Sequence, residues 1–120
     1  MTKKPQLLMA EDEVFIAMML EDILSDEGYL VRGATTLAEG LHLLEHGQFD
    51  AAILDVNLGR DPVFPLAERL REQGVPFLFA SGYGNEGIPA EFSGYDVLLK
   101  PFDSKAFLTA LARLVTPPMK

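Results

Sequence analysis

The sequence predicts a single α/β domain in which helices cover a mostly parallel sheet, and three observations lead to this fold class. Short apolar runs of the strand type alternate with longer runs that have helical periodicity, a pattern typical of repeated βα units. A chain of 120 residues is long enough to bury one core. The absence of cysteine excludes a disulfide scaffold and thiolate metal sites. We therefore expect one domain over residues 1–120.

The first half of the chain contains three predicted strands and two predicted helices. The strands are residues 6–10, 30–34 and 51–55. The first helix is predicted over residues 13–27, and Gly28 follows it where a helix stop is expected. Thr36 and Glu39 form a capping box, so the second helix starts there and ends near Gly47. The side chains expected in the core are Ile16, Leu20, Ile23, Leu24, Leu37, Leu41 and Leu44. Met9, Met18 and Met19 are interpreted as ordinary core and helix filler.

The second half continues the alternation. After an exposed loop, Pro62 or Pro65 can occupy the first turn of a third helix, which ends at Gly74. Two further strands are predicted at residues 76–80 and 96–99. Asp103 is the expected N-cap of a last helix. The buried residues of these two helices are predicted to be Leu66, Ala67, Leu70, Phe107, Leu108, Leu111 and Leu114.

The segment between the last two strands has a composition that does not suit a helix. Its breakers are Gly82, Gly84, Gly87, Pro89 and Gly94. Each interior Gly costs a helix roughly 1 kcal/mol and each Pro about 3 kcal/mol. We therefore expect the fourth helix to be short and mobile at most, or disordered.

Charge and hydropathy exclude several classes of partner. The net charge is −8, whereas proteins that bind phosphate backbones or anionic membranes carry clustered Lys and Arg. Lys3 and Lys4 form a single basic pair. No apolar run approaches the ~18 residues of a membrane span, and the N-terminus lacks the apolar stretch of a signal peptide. We expect a soluble cytoplasmic protein that binds neither nucleic acid nor membranes.

Polar side chains follow four of the predicted strands. Glu11 and Asp12 follow the first strand, and Asp55 ends the third. Ser81 follows the fourth strand and Lys100 the fifth. Because parallel strands end at the same edge of a sheet, where ligands bind in open α/β folds, we expect these side chains to converge.

Carboxylates at this edge predict a Mg²⁺ site. Asp12 and Asp55 would repel each other unless a cation lay between them. Mg²⁺ prefers oxygen ligands and retains several waters, and Glu11 could hold one of those waters. The alternative is that Glu11, Asp12 and Glu13 simply complement the positive end of the first helix dipole.

The same edge is suited to phosphoryl chemistry. Asp55 can be a nucleophile toward phosphorus, although an Asp that begins a turn is the alternative. The Ser81 hydroxyl and the Lys100 ammonium can bind oxygens of a transferring phosphoryl group. Ser81 can also be a turn residue, and Lys100 a lysine whose apolar stem packs at a strand end. These alternatives do not explain why polar side chains fall at the ends of four predicted strands.

The ordered set of motifs resembles the receiver domains of two-component response regulators over essentially the whole chain. The matching segments are MAEDE at 9–13, AILDVNL at 52–58, FASG at 79–82 and LLKPF at 98–102. The resemblance implies a doubly wound, five-stranded parallel sheet of flavodoxin-like order 2-1-3-4-5. PFLFASGYG at 76–84 is similar to the PFxFATGxY signature of a subfamily of single-domain receivers in alphaproteobacteria, with Ser81 in place of Thr.

The resemblance also implies a role for each matching residue of the cation site. Asp55 is similar to the phosphoacceptor and Asp12 to the direct metal ligand. Glu11 matches the acidic neighbour of that ligand. Asn57 matches the residue whose backbone carbonyl completes the metal site.

The switch residues depart from the family pattern. By resemblance, Ser81 is the switch hydroxyl and Lys100 contacts the phosphate. Val97 stands where receivers commonly carry a Tyr or Phe, so we hypothesise that Tyr83 transmits the signal instead. In this hypothesis phosphorylation draws Ser81 inward, repositions Tyr83 and orders residues 85–92. The alternative is that Tyr83 is a partly buried loop aromatic.

The leading functional hypothesis is a stand-alone receiver with no output domain. Asp55 would accept a phosphoryl group from a sensor histidine kinase with Mg²⁺ and later lose it to water, without being a turnover enzyme. Output would be contact with an unknown downstream protein, or the chain would act as a phosphate sink. A hydrolase is disfavoured because Asn57 cannot act as the acid. An unphosphorylated binding module is a further alternative, and a dinucleotide-binding domain lacks its G-x-G-x-x-G motif.

Overall fold

The computed structural model describes residues 4–82, 87–100 and 103–115. The strands in these ranges are β1 (Gln6–Ala10), β2 (Leu30–Ala34), β3 (Ala51–Asp55), β4 (Asn57–Leu58), β5 (Asp61–Pro62), β6 (Phe77–Ser81) and β7 (Val97–Leu99). The helices are α1 (Val14–Asp26), α2 (Leu37–His46), α3 (Phe64–Glu72) and α4 (Ser104–Val115), with a 3₁₀ turn at Ala90–Phe92. None of the described helices is long and apolar enough to cross a lipid bilayer.

Five strands form one parallel sheet of order β2-β1-β3-β6-β7. When only these five strands are numbered, in the order in which they occur along the chain, their order in the sheet is 2-1-3-4-5. The predicted doubly wound fold is therefore confirmed. β2 and β3 lie on opposite sides of β1, so the direction in which strands are added reverses between them. In such sheets, ligands bind outside the carboxyl ends of the strands at the point of reversal.

The predicted boundaries are close to the observed ones. The first three strands begin and end at the predicted residues, whereas β6 ends at Ser81 and β7 begins at Val97, each one residue later than predicted. Pro65, rather than Pro62, lies in the first turn of α3. The predicted exposed loop before α3 contains a small antiparallel hairpin of β4 and β5, in which Asn57 pairs with Pro62.

Side-chain caps start two of the helices. The backbone N–H of Glu39 donates to Thr36 Oγ1 at 3.1 Å, as the capping box predicts. Glu39 Oε1 accepts from the Thr35 backbone N–H and hydroxyl, so the reciprocal bond of the box goes to Thr35 rather than to Thr36. At α4, the Ala106 N–H donates to Asp103 Oδ1 at 2.7 Å, and the predicted Asp103 cap is confirmed.

The sheet separates two hydrophobic cores because alternate residues of a strand face opposite sides. Leu7 and Met9 of β1 pack with α1 and α4, whereas Leu8 and Ala10 pack with α2 and α3. Leu20 and Leu24 are the buried residues of α1. Met18 and Met19, interpreted as core or helix filler, do not belong to the core, since 56% and 52% of their surfaces are exposed.

One of the two cores is rich in aromatic rings, which we call the aromatic layer. Its rings belong to Phe64, Phe77, Phe79, Phe92 and Tyr95. Tyr95 stacks on Phe77 with ring centroids 4.1 Å apart. The Arg71 guanidinium of α3 lies 4.7 Å from the Phe92 ring centroid and pairs with Glu91 at 3.1 Å. These contacts hold the 3₁₀ turn, which is the short helical element predicted between the last two strands of the sheet. Its mobility stays a prediction.

Candidate functional site

The polar residues at the strand ends meet at one edge of the sheet. Asp55 is the last residue of β3 and Ser81 the last residue of β6, while Lys100 directly follows β7. The Val56 N–H donates to the Ala80 carbonyl at 3.1 Å, and the Lys100 N–H donates to the Ser81 carbonyl at 2.7 Å. Backbone hydrogen bonds therefore continue past the strand ends and fix the spacing of these side chains.

Lys100 connects two acidic side chains at this edge. Its Nζ lies 2.9 Å from Glu11 Oε1 and 3.1 Å from Asp55 Oδ2. The side chain of Lys100 is only 19% exposed, so the two pairs are largely shielded from solvent. Charge-assisted hydrogen bonds of this kind are about twice as strong as neutral ones. The arrangement brings together one cation and two carboxylates at the ends of three separate strands.

The third carboxylate, that of Asp12, completes an acidic cluster. One oxygen each from Glu11, Asp12 and Asp55 lie within 4.8 Å of one another. Like charges this close are unfavourable unless a cation compensates them. An all-oxygen donor set of partly buried carboxylates fits Mg²⁺, which takes hard oxygen ligands and keeps several waters.

Burial changes the protonation of Glu11, which is 3% exposed. The pKa of Glu11 is raised to about 7, chiefly by burial; the hydrogen bond from Lys100 and that from the Glu13 N–H oppose this rise, and the neighbouring Asp55 contributes to it. For Lys100, burial lowers the pKa, but the hydrogen bonds to Glu11 and Asp55 outweigh it, so the pKa lies above its ordinary value. Lys100 is therefore an ammonium at neutral pH, whereas Glu11 is divided between its two forms.

The hairpin of β4 and β5 contacts the acidic cluster through its backbone. The Gly59 N–H donates to Asp12 Oδ2 at 2.9 Å, and the Asn57 N–H lies 3.4 Å from Asp55 Oδ1. The Asn57 side chain itself is exposed. Sequence reasoning missed the contact of Gly59, for which the only signal was a glycine in the predicted loop.

The predicted switch residues are only partly within the described ranges. Ser81 is 3% exposed and lies two positions after Phe79 of the aromatic layer. Val97, the first residue of β7, is partly buried and packs against the same core as that layer. Tyr83 lies outside the described residues, as do residues 85–86 of the segment for which an ordering transition was predicted.

An exposed apolar surface lies on the first half of α1, the helix that follows Glu11 and Asp12 in the chain. We call it the α1 apolar surface. Its residues and exposed fractions are Val14 57%, Phe15 87%, Met18 56% and Met19 52%. It begins two residues after Asp12 in the chain. Sequence reasoning missed this surface because α1 has apolar residues on more than one face, so the pattern does not show which of them remain exposed.

Comparison with known proteins gives consistent matches. A family model for the response regulator receiver domain matches residues 7–112. The aerobic respiration control protein ArcA of Escherichia coli strain K12 is 35% identical over 113 residues, which cover 91% of this chain. They cover 47% of ArcA, so the chain spans about half the length of this curated relative.

Two solved structures extend the comparison. The solution structure of SdrG from Sphingomonas melonis Fr1 is 42% identical with a TM-score of 0.82, covering 97% of this chain and 100% of that one. The response regulator protein TrrA from Thermotoga maritima, solved in complex with Mg(2+)-BeF, is 20% identical with a TM-score of 0.82. The match covers 92% of this chain and 98% of TrrA, and it shows a likeness of fold alone.

Proposed function

The chain belongs to the response regulator receiver domain family, and from this premise we propose that Asp55 accepts a phosphoryl group from the phosphohistidine of a sensor histidine kinase. Receiver domains act as phosphoacceptors in two-component signalling. The observation that carries the proposal is the convergence of Asp12, Asp55 and Lys100, with Lys100 Nζ 3.1 Å from Asp55 Oδ2.

The chemistry follows from the groups at this edge. A carboxylate oxygen of Asp55 attacks phosphorus, the P–N bond to the imidazole breaks, and its electron pair leaves with the imidazole nitrogen. Lys100 stabilises negative charge on the phosphoryl oxygens, and the Ser81 hydroxyl binds another of them. Inactivation is a separate hydrolysis, in which water attacks phosphorus, the P–O bond to Asp55 breaks, and inorganic phosphate leaves, which restores the Asp55 carboxylate.

The residues of the acidic cluster are those that would hold Mg²⁺. Asp12 and Asp55 would bind it directly with the Asn57 backbone carbonyl, and Glu11 would hold a metal-bound water. Mg²⁺ would supply positive charge to the phosphoryl oxygens during transfer. The cluster of three carboxylate oxygens supports this assignment.

The α1 apolar surface is the site that we propose for docking of the phosphodonor protein. It lies on the helix that directly follows Asp12, and Phe15 is 87% exposed there. A surface of this kind is typical of a protein contact. We also propose that the chain signals through a downstream protein or serves as a phosphate sink.

Intact-mass measurement tests the proposed acceptor. After incubation with a small acyl phosphate and Mg²⁺, the wild type is expected to gain one phosphoryl group and Asp55→Asn none. Asp61→Asn is the matched control, because Asp61 is exposed on the hairpin and outside the acidic cluster. Labelling of Asp55→Asn to the wild-type level would refute the acceptor assignment. A wild type that never gains the group would favour an unphosphorylated binding module.

A further inference from the structure

We propose that the backbone N–H of Gly59 is a positioning group for Asp12, which it holds in the geometry needed for cation binding. This inference rests on the proposed function, since it takes Asp12 to be a ligand of Mg²⁺. The hairpin that carries Gly59 would then be part of the cation site, although its side chains contribute no carboxylate to the cluster.

The geometry of the hairpin leaves the Gly59 N–H available. The pairs of Asn57 with Pro62 and Leu58 with Asp61 leave Gly59 and Arg60 as a two-residue loop. Gly59 has φ +64°, and no described non-glycine residue has a positive φ. A positive φ at the first loop position alone is the pattern of a type II′ turn, which favours Gly there. The turn's own hydrogen bond does not use the N–H groups of the two loop residues.

Asp12 supplies the acceptor for this free N–H. Gly59 N lies 2.9 Å from Asp12 Oδ2, across 47 residues of sequence. Without this bond, repulsion from Glu11 and Asp55 would favour rotation of the Asp12 carboxylate toward solvent. A carboxylate has about four lone-pair sites, so Asp12 can accept from Gly59 and bind a cation at the same time.

The hairpin is a rigid support for this contact. Leu58 is 3% exposed and Val63 is fully buried, so both sides of the loop are anchored in the core. The Val63 N–H donates to the Val56 carbonyl at 2.9 Å and closes the segment. Loosening of the hairpin should therefore weaken cation binding even though no carboxylate is changed.

Solvent exchange of backbone amides, measured by NMR without divalent cations, tests the bond itself. A charge-assisted hydrogen bond should slow exchange of the Gly59 amide at least about tenfold relative to the Arg60 amide, after correction for intrinsic rates. Asp12→Ala should bring the Gly59 rate to that of Arg60 and leave Arg60 unchanged. Equal corrected rates in the wild type would overturn the inference.

Magnesium titration followed by NMR tests the consequence. Leu58→Ala, which loosens the hairpin, should raise the Kd for Mg²⁺ about three- to tenfold. Leu44→Ala is the matched control, since Leu44 is equally buried at 4% exposure but lies on α2. If Leu58→Ala does not fold, Leu58→Val replaces it with a smaller expected increase. An unchanged Kd in the hairpin variant, or equal increases in both variants, would refute the positioning role.

Neither test contains a phosphodonor, so the two proposals fail separately. If the Gly59 amide is protected but Asp55 is never phosphorylated, the positioning role stands and the proposed signalling function is refuted. Phosphorylation of Asp55 in a protein whose Gly59 amide exchanges like that of Arg60 would do the reverse.

Discussion

The polar edge of the sheet and the aromatic layer share strand β6 but are stabilised in opposite ways. Ser81 lies at the polar edge, where Lys100 offsets the charges of Glu11 and Asp55. Two residues earlier, Phe79 packs edge-on against neighbouring rings of the aromatic layer. Ion pairs thus hold the polar edge together, whereas burial of apolar surface holds the aromatic layer together.

The comparison shows how the molecule separates chemistry from stability. Crowded carboxylates raise the free energy of the folded state, and burial of the ion pairs with Lys100 carries a desolvation cost that opposes their attraction. Burial of large aromatic side chains is a net source of stability. Substitutions in the aromatic layer should therefore change stability first, whereas substitutions at the edge should change charge-dependent behaviour first.

The largest stability effect is expected from Phe92→Ala in the aromatic layer. Phe92 is 1% exposed, and truncation of a buried Phe typically costs about 3–5 kcal/mol. Urea denaturation should show a loss of this size, while Asp55 should still be phosphorylated to full stoichiometry below the unfolding transition. Phe15→Ala is the control, because Phe15 is 87% exposed and should lose less than about 0.5 kcal/mol. Similar losses in the two variants would break the comparison.

A smaller effect is expected from Glu11→Gln at the polar edge, and it depends on pH. The pKa of Glu11 is about 7 in the folded protein against an ordinary value of 4.5. Between these values the folded state holds a proton that the unfolded state has released. The free energy of unfolding should therefore fall as pH rises through this window, by up to roughly 3 kcal/mol. The stabilisation is complete below the ordinary pKa and is lost above the folded one.

Urea denaturation of both proteins over this pH range, without divalent cations, measures the effect. Glu11→Gln cannot titrate, so its stability should lack the fall seen in the wild type. Glu45→Gln, which alters an exposed carboxyl of α2, should follow the wild type. Parallel curves for Glu11→Gln and the wild type would contradict the raised pKa.

The smallest effect is expected from Arg71→Met at the rim of the aromatic layer. It removes a cation–π contact worth about 0.5–1 kcal/mol and an exposed ion pair worth about 0–1 kcal/mol. Exchange of the Phe92, Ser93 and Tyr95 amides, which close the 3₁₀ turn, should become several times faster. Arg69→Met is the control, since Arg69 makes only a 4.0 Å pair with Glu72 among the described ion pairs. Unchanged exchange in Arg71→Met would show that the rings alone hold the turn.

Local signals explain why much of the fold could be predicted. Strands β1 and β3 are short, largely apolar runs with clear ends, and the caps at Thr36 and Asp103 act through residues three positions away. The hairpin at residues 57–62 could not be predicted in this way. Its strands of two residues each are too short to show any periodicity.

The candidate site could be predicted only as far as topology reaches. Parallel strands bring their ends together, so the convergence of Asp55 and Lys100 follows from their positions in the chain. The pairing of Lys100 with Glu11 joins residues 89 apart, and it depends on side-chain reach. The exposure of Met18 could not be predicted either, because it depends on how α1 is rotated against the sheet.

The order of the sheet leaves β2 and β7 as its outer strands, and both are poor templates for assembly. Unpaired outer strands can recruit further chains into fibres, and natural proteins oppose this with short or charged strands. β7 has three residues, and β2 carries the exposed Arg32. Edge-to-edge pairing of two copies through β2 would bring their Arg32 side chains close together. Pairing through β7 would form few backbone hydrogen bonds, because this strand has three residues. The chain should consequently resist fibrillar polymerisation even at high concentration.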